Sequence, residues 1–123
     1  MSAIRIFWPS GQVTITLRDT ISAKALLAAR PIQSTANIWG DEVYCQVPFT
    51  VAPEADASTV VDKGAVCFWL EGNALALLFG PTPISSSNEC RLISAANILG
   101  HIDGNPELLR SINQHNPIRI EPV

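Results

Sequence analysis

Apolar and polar residues alternate with a period of two through several stretches of this chain, which is the signature of strands with one buried and one wet face. In Gln12–Arg18, Val13, Ile15 and Leu17 fall on one side, and Gln12, Thr14, Thr16 and Arg18 on the other. With Ala3–Trp8 before it and Pro9-Ser10-Gly11 between, this segment predicts a hairpin. Val43, Cys45 and Val47 alternate in the same way with Glu42, Tyr44 and Gln46, as do Ile118 and Ile120 with Arg119 and Glu121. The stretch from Gly64 to Pro83 is different: two continuous apolar runs, Ala65–Leu70 and Ala74–Phe79, flank Glu71-Gly72-Asn73 and end at Gly80-Pro81-Thr82-Pro83. Runs of about six apolar residues are too short for typical helices, so they predict a hairpin of two buried strands at the centre of the fold, with Cys67 and Leu77 in its core. Gly72 and Asn73 are suited to the positive φ angles of its loop.

Two segments carry a helical pattern. Ile21–Ala29 is rich in Ala and Leu, follows the capping pair Asp19-Thr20 and stops before Pro31. Its inward face is either Ile21, Ala25 and Ala28 or Leu26 and Ala29. Pro106–Asn113 follows Asn105, with Pro at the first helical position and Glu107 near the positive end of the dipole. Pro31–Ile38 leads into the strand at Val43, and Ala96, Ile98 and Ile102 mark another strand. Val51–Asp62 lacks a period and reads as a surface connection, the best place for a mobile loop; Ile84–Ser94, with Ser85-Ser86-Ser87-Asn88, reads as irregular. The expectation is therefore a mainly β domain of about eight antiparallel strands closed into a barrel, with two short helices capping its ends.

Composition narrows the functions this fold could serve. The 123 residues suit one domain, residues 1–123, large enough for a single core. Three widely spaced cysteines, Cys45, Cys67 and Cys90, predict free thiols rather than a disulfide framework or a metal site. A net charge of −3 without clustered Lys or Arg argues against nucleic acid. No apolar run approaches the roughly 18 residues of a membrane span and MSAIRIFWPSG has no leader pattern, so the expected location is the cytoplasm, away from membranes.

A series of residues resembles a known family. Trp39-Gly40-Asp41-Glu42-x-Tyr44, then Gly64, Trp69-x-x-Gly72-Asn73-Ala74-Leu75, Phe79-Gly80-Pro81-Thr82-Pro83, Asn97-x-x-Gly100 and Gly104 together look like the small prokaryotic cyclophilin-like proteins, catalogued as a domain of unknown function. The resemblance covers nearly the whole chain. It implies a closed eight-stranded cyclophilin-type barrel and carries no reaction with it.

Prolyl isomerisation needs an apolar pocket and a cation that weakens amide resonance across a barrier of about 20 kcal/mol. The Phe-His-Arg-x-Ile-x-x-Phe segment that supplies the arginine in classical cyclophilins is absent, and the two histidines, His101 and His115, lie elsewhere. No catalytic residue is therefore assigned, and a peptidyl-prolyl isomerase with a rearranged site stands as the alternative to a binding module. For that module, Trp39, Gly40, Asp41, Glu42 and Tyr44 place an indole, two carboxylates and a phenol beside a strand. Asn73, Phe79, Pro81 and Thr82 are the companion candidates, Thr82 through the resemblance. The expected partner is a small molecule or an extended peptide, with no cofactor and no metal. The structural alternative is that Trp39 packs, Gly40 and Asp41 form a turn and Glu42 caps a backbone amide. Trp39, Phe68, Trp69 and Phe79 are either core or pocket wall. Asp41 and Glu42, as strand neighbours, face opposite sides and are not placed to share a proton. His101 and Asp103 read as a surface pair.

Overall fold

A computed structural model describes residues 2–123, in the element order β1 (Ala3–Trp8), β2 (Gly11–Leu17), α1 (Ile21–Ala29), β3 (Ile32–Thr35), β4 (Asn37–Ile38), β5 (Glu42–Gln46), β6 (Ser58–Val61), β7 (Ala65–Trp69), β8 (Ala74–Leu78), β9 (Cys90–Ile102) and β10 (Pro117–Pro122). All pairings are antiparallel, in the order β3-β10-β1-β2-β9-β7-β8-β5-β4, and β6 pairs with the first half of β9. The first hairpin takes the expected register, with Ile4 opposite Ile15 and Ile6 opposite Val13, so both sets of apolar side chains point inward.

The closed eight-stranded barrel is corrected on two counts. Among the described residues there are ten strands: Ile32–Thr35 and Asn37–Ile38 are separate, Ser58–Val61 is a strand where the sequence reads as surface connection, and Cys90–Ser94, read as irregular chain, is the start of β9, with which Ser58–Val61 pairs. The ladder also stays open. Its two edge strands, β3 and β4, are joined through Ala36 alone, whose N–H donates to the Asn116 carbonyl (2.8 Å) and whose own carbonyl accepts from the His115 N–H (2.8 Å). The backbone of Ala36 is thus committed to the β10 side, and β3 meets β5 through side chains, the Ser34 hydroxyl donating to the Gln46 carbonyl at 2.7 Å. The sheet curls on itself and leaves a seam.

Two apolar clusters lie on opposite faces of the central strands. The inner one gathers Ile4, Ile6, Ile15, Val43, Cys45, Val66, Phe68, Leu75, Leu77, Leu99, Ile118 and Ile120. The outer one gathers Ala65, Cys67, Ala76, Leu78, Cys90, Leu92 and Ala96, with Tyr44, Trp69 and Ile98 at its margin. Cys67 and Leu77 consequently occupy different clusters: Cys67 pairs across the ladder with Ala76 and Leu77 with Val66. A continuous apolar run is what a strand buried on both faces requires, which explains why β7 and β8 show no alternation. The outer cover is β9, which begins at Cys90 and continues past β7 to β2.

α1 starts where expected: the Thr20 hydroxyl accepts from the Ala23 N–H at 3.1 Å. It buries Ser22, Ala23 and Leu26 and leaves Ile21 at 75% exposure, selecting the Leu26 face. The second expected helix is a 3₁₀ segment, Pro106–Ser111, capped by Asn105, whose Oδ1 accepts from the Glu107 N–H at 3.0 Å. Val51–Ala57 is anchored rather than free, since Glu54 and Ala52 bond to Asn97 and Ser22. The three cysteines are buried free thiols.

Candidate functional site

The chain reverses between β4 and β5 through Gly40 and Asp41. The Trp39 N–H donates to the Glu42 carbonyl (2.9 Å) and the Glu42 N–H to the Trp39 carbonyl (3.2 Å). Gly40 sits at φ +60, and a Cβ there would lie 2.9 Å from both Pro83 Cδ and Thr82 Cα, so the position requires glycine for conformation and for space. Asp41 docks the turn on the next segment: its N–H donates to the Pro81 carbonyl (2.9 Å) and its carbonyl accepts from the Phe79 N–H (3.0 Å). Its carboxylate accepts two hydrogen bonds of 3.0 Å from the Arg110 guanidinium, which lies 5.0 Å above the Phe79 ring. Thr82 is buried, its hydroxyl donating to the Arg91 carbonyl and its N–H to the Ser85 hydroxyl. Gly40, Asp41, Phe79, Pro81 and Thr82 therefore form one scaffold.

That scaffold holds Trp39, Glu42 and Tyr44 against an outer cleft of about 260 Å³, completed by Trp69, Leu92 and Ile93. Trp69 meets Tyr44 edge-on at 5.9 Å and 71°, and its indole N–H donates to the Ser94 hydroxyl at 2.7 Å. Glu42 is 5% exposed, and its Oε1 is buried without a hydrogen-bond partner. Burial pushes its carboxyl from the ordinary 4.5 up to about 7. The polar face of this strand is expected to meet water or a cleft, and at Glu42 and Tyr44 it is a cleft; the alternative of a backbone cap is replaced by a carboxyl in an apolar, aromatic hollow. The Asp41 carboxylate points away from it to Arg110. Cys67, across β8, is pushed up to about 12 by burial first and by the nearby Glu42 charge second.

The nine candidate residues are thus not one cluster. Trp39, Glu42 and Tyr44 line the cleft; Gly40, Asp41, Phe79, Pro81 and Thr82 support it from behind. Asn73 is in the β7–β8 loop, at the other end of β8 from Phe79, with φ 49 and its carbonyl accepting from the Val47 N–H. Phe68 and Phe79 are inner core, Phe68 stacking on Phe49 at 5.3 Å, whereas Trp39 and Trp69 are cleft wall. Leu92 and Ile93 escaped the sequence reading because Ser85-Ser86-Ser87-Asn88 just before them masks the start of a strand. His101 and Asp103 are exposed; Asp103 accepts from the Thr16 hydroxyl at 2.8 Å. Among the described residues, no group of three or more His, Cys, Asp or Glu is placed to hold a metal ion, and no helix is long and apolar enough to cross a membrane.

The model of the family described as cyclophilin-like matches residues 2–121. The chain belongs to this family. The Trp39–Tyr44 and Gly80–Pro83 segments, on which the sequence resemblance rests, are in direct contact in the structure. Among solved structures, the chain is similar to the hypothetical protein AF2241 from Archaeoglobus fulgidus, with 32% identity, a TM-score of 0.84, and coverage of 99% of this chain and 95% of that one. A second likeness is to the structure of McbB in complex with tryptophan, at 16% identity and a TM-score of 0.67, covering 96% of this chain and 44% of the McbB chain. The latter shows a shared fold. No curated protein matches the sequence.

Proposed function

We propose that this cyclophilin-like protein is a binding module for a small molecule, taken up in the outer cleft between Trp39, Tyr44, Trp69, Leu92 and Ile93. The observation that carries the reading is Glu42: a carboxyl with an unpartnered oxygen, buried beside three aromatic rings, is costly to keep unless something meets it. A site of mainly apolar walls with one placed polar group is the usual composition of a ligand pocket. At about 260 Å³ the cleft lies just below the range of roughly 300–1,000 Å³ typical of such pockets, which favours a compact ligand over an extended peptide. McbB, of the same fold, is a protein whose structure holds tryptophan, so the architecture is compatible with a small ligand. Buried thiols at Cys45, Cys67 and Cys90 suit a reducing, cytoplasmic setting.

The test is tryptophan fluorescence during titration with a panel of small aromatic and aliphatic fragments, since two of the three tryptophans line the cleft. Saturable quenching that is lost in Trp69→Leu supports the reading. A panel that leaves the spectrum and the melting temperature unchanged overturns it.

A further inference from the structure

Resting on that reading, we infer that the ligand of the outer cleft is a small organic cation, an amine whose protonated nitrogen meets Glu42 while its apolar body lies along Trp39, Trp69 and Ile93. The cleft is graded in depth. Ile93 is 56% exposed and forms the rim, Trp39, Tyr44 and Trp69 are half-buried, and Glu42 at 5% exposure is the floor. Three aromatic rings, whose faces carry negative charge density, line the cleft and its floor adds a carboxyl, the one acidic group among its lining residues, so the cavity is suited to a cation. None of the ion pairs among the described residues includes Glu42. The fold has desolvated this carboxyl and supplies no cation to it; a bound ammonium fills that role with a charge-assisted hydrogen bond to Oε1.

Other titratable and charged groups stand on the elements around the cleft. On its own strand stands Tyr44; across β8 is Cys67, pushed up to about 12; in β9 are Cys90, also raised by burial, and Arg91, which is occupied by Glu89 at 2.6 Å. Asp41, preceding Glu42, is held by Arg110. From the Glu42 value of about 7, its ionised fraction rises about tenfold between pH 6 and pH 8. A protonated amine therefore binds about tenfold tighter at pH 8 than at pH 6, and releases a proton from Glu42 on binding near pH 7.

The experiment compares three probes of similar size on the full chain: phenethylammonium, neutral 2-phenylethanol and anionic 3-phenylpropionate, by tryptophan fluorescence and calorimetry at pH 6 and 8. The expected result is a preference of tenfold or more for phenethylammonium over the alcohol at pH 8, its affinity falling about tenfold at pH 6, with no binding of the anion. Glu42→Gln should abolish both the preference and the pH dependence. Equal binding of the amine and the alcohol overturns the cation inference while leaving the cleft a binding site. A preference that survives in Glu42→Gln also overturns it. No binding of any probe at either pH defeats both readings.

Discussion

Asn97 and Ser22, 75 positions apart in sequence, are joined at the junction of β9 and α1 by a 2.9 Å hydrogen bond from the Asn97 amide to the Ser22 hydroxyl. The same amide donates to the Ala52 carbonyl at 2.9 Å, its oxygen accepts from the Glu54 N–H at 2.9 Å, and the Glu54 carboxylate accepts from both the Ser22 N–H and hydroxyl. Asn97 and Ser22 are fully buried. The Asn97 amide thus ties the Val51–Ala57 connection, whose own sequence has no periodicity to hold it, at two points, Ala52 and Glu54. Replacing Asn97 by Leu keeps much of the volume but strands the Ala52 carbonyl and the Glu54 N–H, a loss of about 2–3 kcal/mol. Urea unfolding at pH 7 measures it, and a loss under about 0.5 kcal/mol would show the network to be dispensable.

The carboxyl of Glu42 makes stability pH-dependent in an unusual direction. Its value rises on folding from about 4.5 to about 7, so between these limits the folded protein binds more protons than the unfolded chain. The contribution is fully present below pH 4.5 and is lost as pH rises through 7. At about 1.4 kcal/mol per pH unit the loss is about 3 kcal/mol. Glu89 and Glu107, held below the usual carboxylate range by bonds to Arg91 and Arg110, titrate lower and cancel in a difference measurement. Glu42→Gln is therefore expected to gain stability relative to the parent as pH is raised from 5 to 8, approaching that amount. A difference that is flat with pH would mean that the carboxyl is hydrated in solution.

Gly72 reveals a constraint that turn chemistry does not. Of the two loop residues expected to take positive φ, Asn73 does so at φ 49 and Gly72 does not; instead, a Cβ on Gly72 would lie 2.2 Å from two carbons of the Trp69 ring. The glycine is there to let the indole lie flat against the loop, where its N–H reaches Ser94 and its edge meets Tyr44. Gly72→Ala is expected to push the indole away from Ser94 and cost about 1–3 kcal/mol of stability. It should also weaken ligand binding by at least tenfold, while Gly72→Ser in the presence of ligand shows the same deficit. Unchanged tryptophan fluorescence and unchanged affinity would refute the assignment of Gly72 to the cleft.

Much of this architecture is legible in the sequence because its strands carry their own pattern. Val13, Ile15 and Leu17, or Ile118 and Ile120, announce the face they bury, and Thr20 and Asn105 cap the helical segments as their side chains suggest. Ser58–Val61 and Cys90–Ser94 do not, because Ser58, Thr59, Arg91 and Ser94 make each segment look like loop when read alone, and only their mutual pairing makes them strands. The cleft inherits that limit. Trp39, Glu42 and Tyr44 are recognisable as a constellation, yet Glu42 falls on the polar face of its strand and looks wet when read alone, because Leu92 and Ile93 of β9, which complete the cleft, lie in a stretch that reads as irregular. The closure of the sheet is likewise invisible locally, since it turns on where the Ala36 backbone finds its partners.

Arg110 over Phe79 offers the pairing of guanidinium and aromatic ring that a prolyl isomerase would need, and its geometry argues that it does not serve one. Its Nε donates to Glu107 at 2.9 Å and its two terminal nitrogens donate to Asp41, so three of its nitrogens are committed to carboxylates. A guanidinium neutralised on that side cannot weaken amide resonance by approaching a prolyl nitrogen without first giving up those bonds. Phe79 itself is 4% exposed and belongs to the inner core, which leaves no apolar floor for a proline ring beneath the arginine. A coupled assay on a proline-containing peptide should accordingly give the uncatalysed rate for the parent protein and for Arg110→Ala alike. A rate at least tenfold above background that disappears in Arg110→Ala would establish the isomerase instead, and would require Asp41 and Glu107 to release the arginine during turnover.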